Sequence, residues 1–204
     1  MATTVTKTFT ATSSRNVTGY VDFDSVSSKE IVVDGVTKYQ VTYSISGSAA
    51  GFTLPVDISE IPNGAVIKSV KYSYNYGVSG IGSSYVNGGG RLVDYGNKSA
   101  NATNVFEYLS SISAYSELNV QLLFTASGTQ TRIEDSDPGG FSQQVSTRNH
   151  IITLEVTYEV PEGGTIKFGD NNAWQDCNVY FGVDGAWQKC EAYFGVDGAW
   201  QKTQ

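Results

Sequence analysis

Few residues in this 204-residue chain are of types that do chemistry, and their spacing limits what each could do. His150 is the single histidine. No Cys or acidic neighbour stands at ligand spacing from it, so it reads as a residue at the end of a strand rather than a base or zinc ligand. A Ser/His/Asp triad would have to use the same His. Asp22 and Asp24 flank Phe23 and project from one face of a strand. Paired carboxylates can cleave glycosidic bonds, but side by side on one strand they are ordinarily just exposed, which leaves glycan cleavage a remote third reading. The stretch Glu134-Asp135-Ser136-Asp137-Pro138-Gly139-Gly140 could offer oxygens to calcium. It lacks the EF-hand spacing and the closing glutamate and reads as a solvated loop. Residues 77–90, GVSGIGSSYVNGGG, read as a flexible glycine-rich loop. A phosphate cradle would need a GK[ST] ending and a following helix N-terminus, and neither is there. The expectation is a chain with no catalytic residues, no cofactor and no metal, and not an enzyme.

What does recur is aromatic. The last 41 residues read GTIKFGDNNAWQDCN, VYFGVDGAWQKCE and AYFGVDGAWQKTQ, with Phe168, Phe181 and Phe194 at a period of 13 and Trp174, Trp187 and Trp200 at the same period. A fixed internal period marks arrayed supersecondary units. Asp184-Gly185 and Asp197-Gly198 supply the pair that a two-residue type I′ turn asks for, with Asn171-Asn172 in that place in the first copy. Register follows: Val183 pairs with Ala186, Gly182 with Trp187 and Phe181 with Gln188. One face then carries Val179, Phe181, Val183, Ala186 and Cys190, and the other Tyr180, Gly182, Trp187 and Lys189. Every Trp lies across from a Gly, so an indole can cover bare backbone. A 13-residue hairpin buries too little apolar surface to persist alone and must share surfaces with other hairpins, the preceding domain or other subunits.

Cys177 and Cys190 occupy the same repeat position. In a flat meander they would sit two strands apart, about 9.6 Å, beyond disulfide reach, so buried free thiols are the plainer reading. Only a coil with one rung per repeat would bring them together.

The rest of the chain must fold around alternating strands. Gly, Thr, Ser and Tyr are abundant and only 16% of residues are charged, an all-β composition. The net charge of −7, with no basic run, argues against nucleic acid. No stretch approaches the length of a membrane span, and MATTVTKTFTATSS lacks the features of a secretory signal. Without a signal, the sequons at Asn16, Asn97 and Asn101 read as chance. Strands are expected over 4–12, 17–23, 31–36 with 39–45 as a hairpin around Asp34-Gly35, 51–58, 66–76, 91–95, 118–126 and 152–160, and a long polar loop over 128–149. The only helix is expected over 101–112, with Thr103 as a candidate N-cap and Val105, Phe106, Leu109 and Ile112 as an apolar stripe plugging one end of the fold. The predicted architecture is an antiparallel β-sandwich of jelly-roll or immunoglobulin-like kind over 1–160, then a linker and three hairpins over 161–204.

The repeats, with Tyr/Val-Phe-Gly-Val-Asp-Gly-Ala-Trp-Gln-Lys, resemble the short Trp hairpin repeats that end small structural proteins of tailed bacteriophages. The stretch Ile61-Pro62-Asn63-Gly64-Ala65-Val66-Ile67-Lys68-Ser69-Val70 is more loosely similar to the strand entry of sandwich domains in phage head and tail appendages. The resemblance implies a non-enzymatic virion component, a head fibre, capsid decoration or minor tail protein. Such a protein is made in the host cytoplasm and assembles with other virion proteins as a homo-oligomer, often a trimer. Phe168, Phe181, Phe194, Trp174, Trp187, Trp200, Tyr180 and Tyr193 are then the assembly candidates. The alternative is a carbohydrate-binding module in which the Trp, with Tyr180 and Tyr193, stack on host surface glycans. The repeat is also similar to the choline-binding repeats of cell-wall proteins, whose units are longer and carry an extra aromatic per turn.

Overall fold

A computed structural model describes residues 3–136 and 139–160, and the backbone of six strand segments between 166 and 202. Two compact units divide the chain, Thr4–Glu159 and a second made of Met1–Thr3 with Val160–Gln204. The fold is all-β and antiparallel in its described ladders, with one short helix among the described residues, as composition and alternation predict.

The first unit is built from β1 (Thr3–Ser13), β2 (Val17–Val33), β3 (Val36–Asp57), β4 (Val66–Ser79), β5 (Val86–Leu92), β6 (Lys98–Ser99), α1 (Ala102–Ser111), β7 (Glu117–Glu134) and β8 (Phe141–Val160). They form one eight-stranded sheet in the order β1-β8-β2-β3-β7-β5-β6, with β4 also on β8. Two long strands are each shared. β8 pairs with β2 through Phe141–Thr147 and with β4 from Ser146 to Glu159. β3 pairs with β2 only as far as Ser46 but follows β7 along nearly all its length. Alternation sets the buried face: Leu118, Val120, Leu122, Phe124 and Ala126 on β7 and Ile152, Leu154, Val156 and Tyr158 on β8 are buried. On β4 the half-buried Tyr72, Tyr74 and Tyr76 alternate with exposed Lys71, Ser73 and Asn75, one side packed and one wet.

Several expectations need correction. The segments 17–23 and 31–33 are one strand, as are 39–45 and 51–57, and the predicted loop over 128–149 shrinks to residues 135–140. The cause is a three-stranded ribbon made of β2 beyond Phe23, the start of β3 and the end of β7, in which no residue of 24–40 is buried. Where a ribbon strand buries neither face, as over 24–30, there is no apolar/polar alternation to read. Its tip matches the prediction: Val33 pairs with Val36, and Asp34 (φ 50°) and Gly35 (φ 77°) make the turn with both central residues left-handed.

The glycine-rich segment is no loop either. β4 runs on to Ser79, a 3₁₀ turn follows at Ser83–Tyr85, and Gly88 and Gly90 lie within β5. Glycine is needed there because the Tyr76 ring lies over Gly88, where an added Cβ would come within 2.5 Å of it. The strand expected over 91–95 ends at Leu92. The helix is capped by Asn101, not Thr103: its side-chain oxygen accepts a hydrogen bond from the Asn104 amide at 2.9 Å. Val105 and Leu109 are the buried members of its stripe, Phe106 and Ile112 are half-buried, and the helix packs against β4.

In the second unit, β9 (Ile166–Asp170) pairs with β10 (Ala173–Cys177), β11 (Val179–Val183) with β12 (Ala186–Cys190), and β13 (Tyr193–Val196) with β14 (Ala199–Lys202). Each pair is a two-stranded antiparallel sheet of its own. The turn residues 171–172, 184–185 and 197–198, the linker 161–164 and the Asp137-Pro138 pair lie outside the described residues.

Candidate interaction surfaces

The three ribbons share one register. Trp174 stands opposite Gly169, Trp187 opposite Gly182 and Trp200 opposite Gly195. Phe168, Phe181 and Phe194 stand opposite Gln175, Gln188 and Gln201, and Tyr180 and Tyr193 opposite Lys189 and Lys202. This is the pairing that the Asp-Gly turns dictate. The side chains of these eight aromatics, and the thiols of Cys177 and Cys190, lie outside what the structure describes.

Within the first unit the polar ribbon presents a second surface. Beyond Phe23 no described strand pairs with the outer edge of β2, and β5 leaves β7 at Ala126, so both ribbon edges carry unpaired backbone groups. Val26, Val32, Val36 and Ile133 are exposed on it, Val32 at 73%. Lys38 at the tip pairs with Asp135 at 2.9 Å.

His150 is not at a strand end. It lies inside β8 and is fully buried, in step with Ile152, Leu154, Val156 and Tyr158. The period-2 run read from Ile152 onward continued one more step backwards, which was the signal available for it. The Tyr74 hydroxyl is 2.7 Å from its Nδ1, the two rings are parallel within 3° at 6.0 Å, and Phe52 meets it edge-on at 5.5 Å. Arg15 sits over the Phe52 ring at 5.7 Å. Burial holds the His150 pKa below its ordinary 6.5, opposed in part by the Thr147 and Arg15 backbones. Tyr74 is pushed well above its usual value, first by burial and then by Tyr72 and Tyr76, so its phenol stays protonated beside the imidazole.

A pH dependence follows from this burial. The unfolded chain, with His at its ordinary value, takes up a proton that the folded chain resists. The His150 contribution is therefore complete above pH 6.5 and is lost as pH falls below it. Urea midpoints measured between pH 7 and 5 should drop, and His150→Gln should flatten that drop. A slope unchanged in the variant would assign it to other groups.

No known family, curated protein or solved structure matches this chain. Among the described residues no three His, Cys, Asp or Glu gather as a metal would require, and no helix is long and apolar enough to cross a membrane. Asp22 and Asp24 do share a face, as expected. Asp22 is half-buried and accepts a hydrogen bond from the Ser142 hydroxyl, whereas Asp24 is exposed. This leaves the two carboxylates in different surroundings, with only one of them held by a neighbouring side chain.

Proposed function

We propose that this chain is a non-enzymatic structural protein of a bacteriophage particle, a head fibre, capsid decoration or minor tail component, that acts by assembling as a homo-oligomer, with a trimer favoured. The observation that carries the assembly role is the second unit's three ribbons, each a two-stranded sheet with the same Trp-to-Gly register and none joined to the next by ladder hydrogen bonds. An isolated two-stranded hairpin is marginal in water, so these ribbons call for a larger surface. The open-edged ribbon of the first unit, with its exposed valines, supports the same reading. The phage assignment rests on the repeat resemblance. The first unit is read as a jelly-roll or immunoglobulin-like sandwich, with the β1/β4/β8 group packed on the β2/β3/β5/β7 group. The Tyr76 hydroxyl of β4, which accepts from the Gly88 amide of β5 at 2.6 Å, supports that packing.

Deleting residues 164–204 tests the assembly role. The shortened chain is expected to keep the circular-dichroism signature of a β protein while its mass by light scattering falls to that of a monomer. An unchanged oligomer would place assembly elsewhere, and an unfolded product would contradict the division into two domains. A shift of the tail Trp fluorescence with host cell-wall glycan that Trp187→Ala abolishes would favour the glycan-binding alternative.

A further inference from the structure

The sheet contains a notch between β2 and β3. β2 and β3 pair as far as Asp22 and Ser46 and then part, β2 following β8 and β3 following β7. Where they part, Thr18, Gly19, Tyr20 and Asp22 of β2 and Ser46, Gly47, Ser48 and Ala49 of β3 line an open depression of about 710 Å³. Its floor is glycine because the strands cross at contact. A Cβ on Gly47 would lie 2.6 Å from the Tyr20 carbonyl oxygen, and one on Gly19 2.6 Å from the Ala49 Cβ. Its wall carries Tyr20, 59% exposed although large and aromatic.

The chemistry of the lining is narrow. Thr18, Ser46 and Ser48 are hydroxyls that donate and accept, and Thr18 is placed by a 2.8 Å hydrogen bond to Ser146. Asp22 is the one charged group in the lining, and the Ser142 hydroxyl orients its carboxylate. With no Lys or Arg in the lining, a phosphate or carboxylate ligand has no counter-charge there. A flat aromatic face, a carboxylate able to accept from two adjacent hydroxyls, several neutral hydroxyls and a small-residue floor together fit an uncharged pyranose ring.

We propose that this notch binds a neutral hexopyranose unit of a glycan, with Tyr20 stacking on the ring and Asp22 accepting from its hydroxyls. The site is lined by first-unit residues alone, so its failure would leave the assembly role standing.

The test titrates the full chain by calorimetry with the methyl pyranosides of glucose, galactose, mannose and N-acetylglucosamine. The expected result is binding of at least one, weakened at least about tenfold by Tyr20→Ala and by Asp22→Asn, retained in Tyr20→Phe and unchanged in Trp187→Ala. Both Tyr20 and Asp22 contact solvent, so thermal melts of the variants should match the parent. Binding of none of the four sugars overturns the proposal. So does binding that survives both Tyr20→Ala and Asp22→Asn, or that Trp187→Ala abolishes.

Discussion

Replacing Phe124 with alanine is expected to remove about 3–5 kcal/mol of folding stability, a large share of the total for an ordinary domain. The ring is fully buried on β7. Its ladder partners are Ala49 on β3 and Gly88 on β5, both small, and Gly19 is packed so closely that an added Cβ would lie 2.8 Å from the ring tip. The phenyl group therefore fills space that three neighbours leave open. The one large ring beside them, Tyr76 over Gly88, is tied by its hydroxyl to the Gly88 amide at 2.6 Å, so the cavity would persist and the cost should sit high in the range for aromatic deletions. All three Trp are in the tail, so tyrosine signals and circular dichroism report this unit during urea unfolding. A loss below about 1 kcal/mol would mean that the site collapses or that the ring is not the filler described.

The sequence was easiest to read where one side of a strand is dry and the other wet. The runs at 118–126 and 152–160 carry that contrast, and each is a strand that buries the expected residues, the second as far as Tyr158; over 66–76 the strand is there, but Val66 is exposed and Ile67 is buried, because a bulge between Ile67 and Ser69 shifts the phase. Asp34-Gly35 was legible because a turn with two left-handed residues tolerates few other pairs, and the Trp-to-Gly register of the tail followed from the same chemistry. The ribbon over 24–30 and 129–134 is not legible in the sequence because backbone pairing holds it together, and backbone pairing leaves no mark on composition. The glycines of β5 misled for a related reason. Glycine marks turns by its dihedral freedom, but at Gly88 and Gly90 it serves by lacking a side chain, and only the Tyr and Val residues across from it reveal which role applies. The notch between β2 and β3 is equally hidden: in sequence Asp22 stands beside Asp24, whereas in the fold its surroundings are Ser46 and Ser142, far away in sequence.

Gly88→Ala sets two effects of opposite sign against each other, and their sizes predict which wins. In an ordinary strand the added methyl should stabilise by about 0.4–1 kcal/mol, through the entropy of the unfolded chain. Here the new Cβ would stand 2.5 Å from the Tyr76 ring, which is not free to retreat. Its hydroxyl is held by the Gly88 amide at 2.6 Å, and its face stacks on Tyr74 at 5.2 Å. Forcing a methyl into such a contact costs about 1–3 kcal/mol, so the net change should be destabilising. Tyr76→Ala removes the obstacle and is itself destabilising, but in that background Gly88→Ala should turn neutral or favourable. Chemical denaturation of the two single variants and the double variant should therefore show a coupling of about 1 kcal/mol or more between positions 76 and 88. Additive costs, or a gain in stability from Gly88→Ala alone, would mean that the ring does not rest on the backbone of β5. The proposed packing of the two strand groups on each other would then lose its main support.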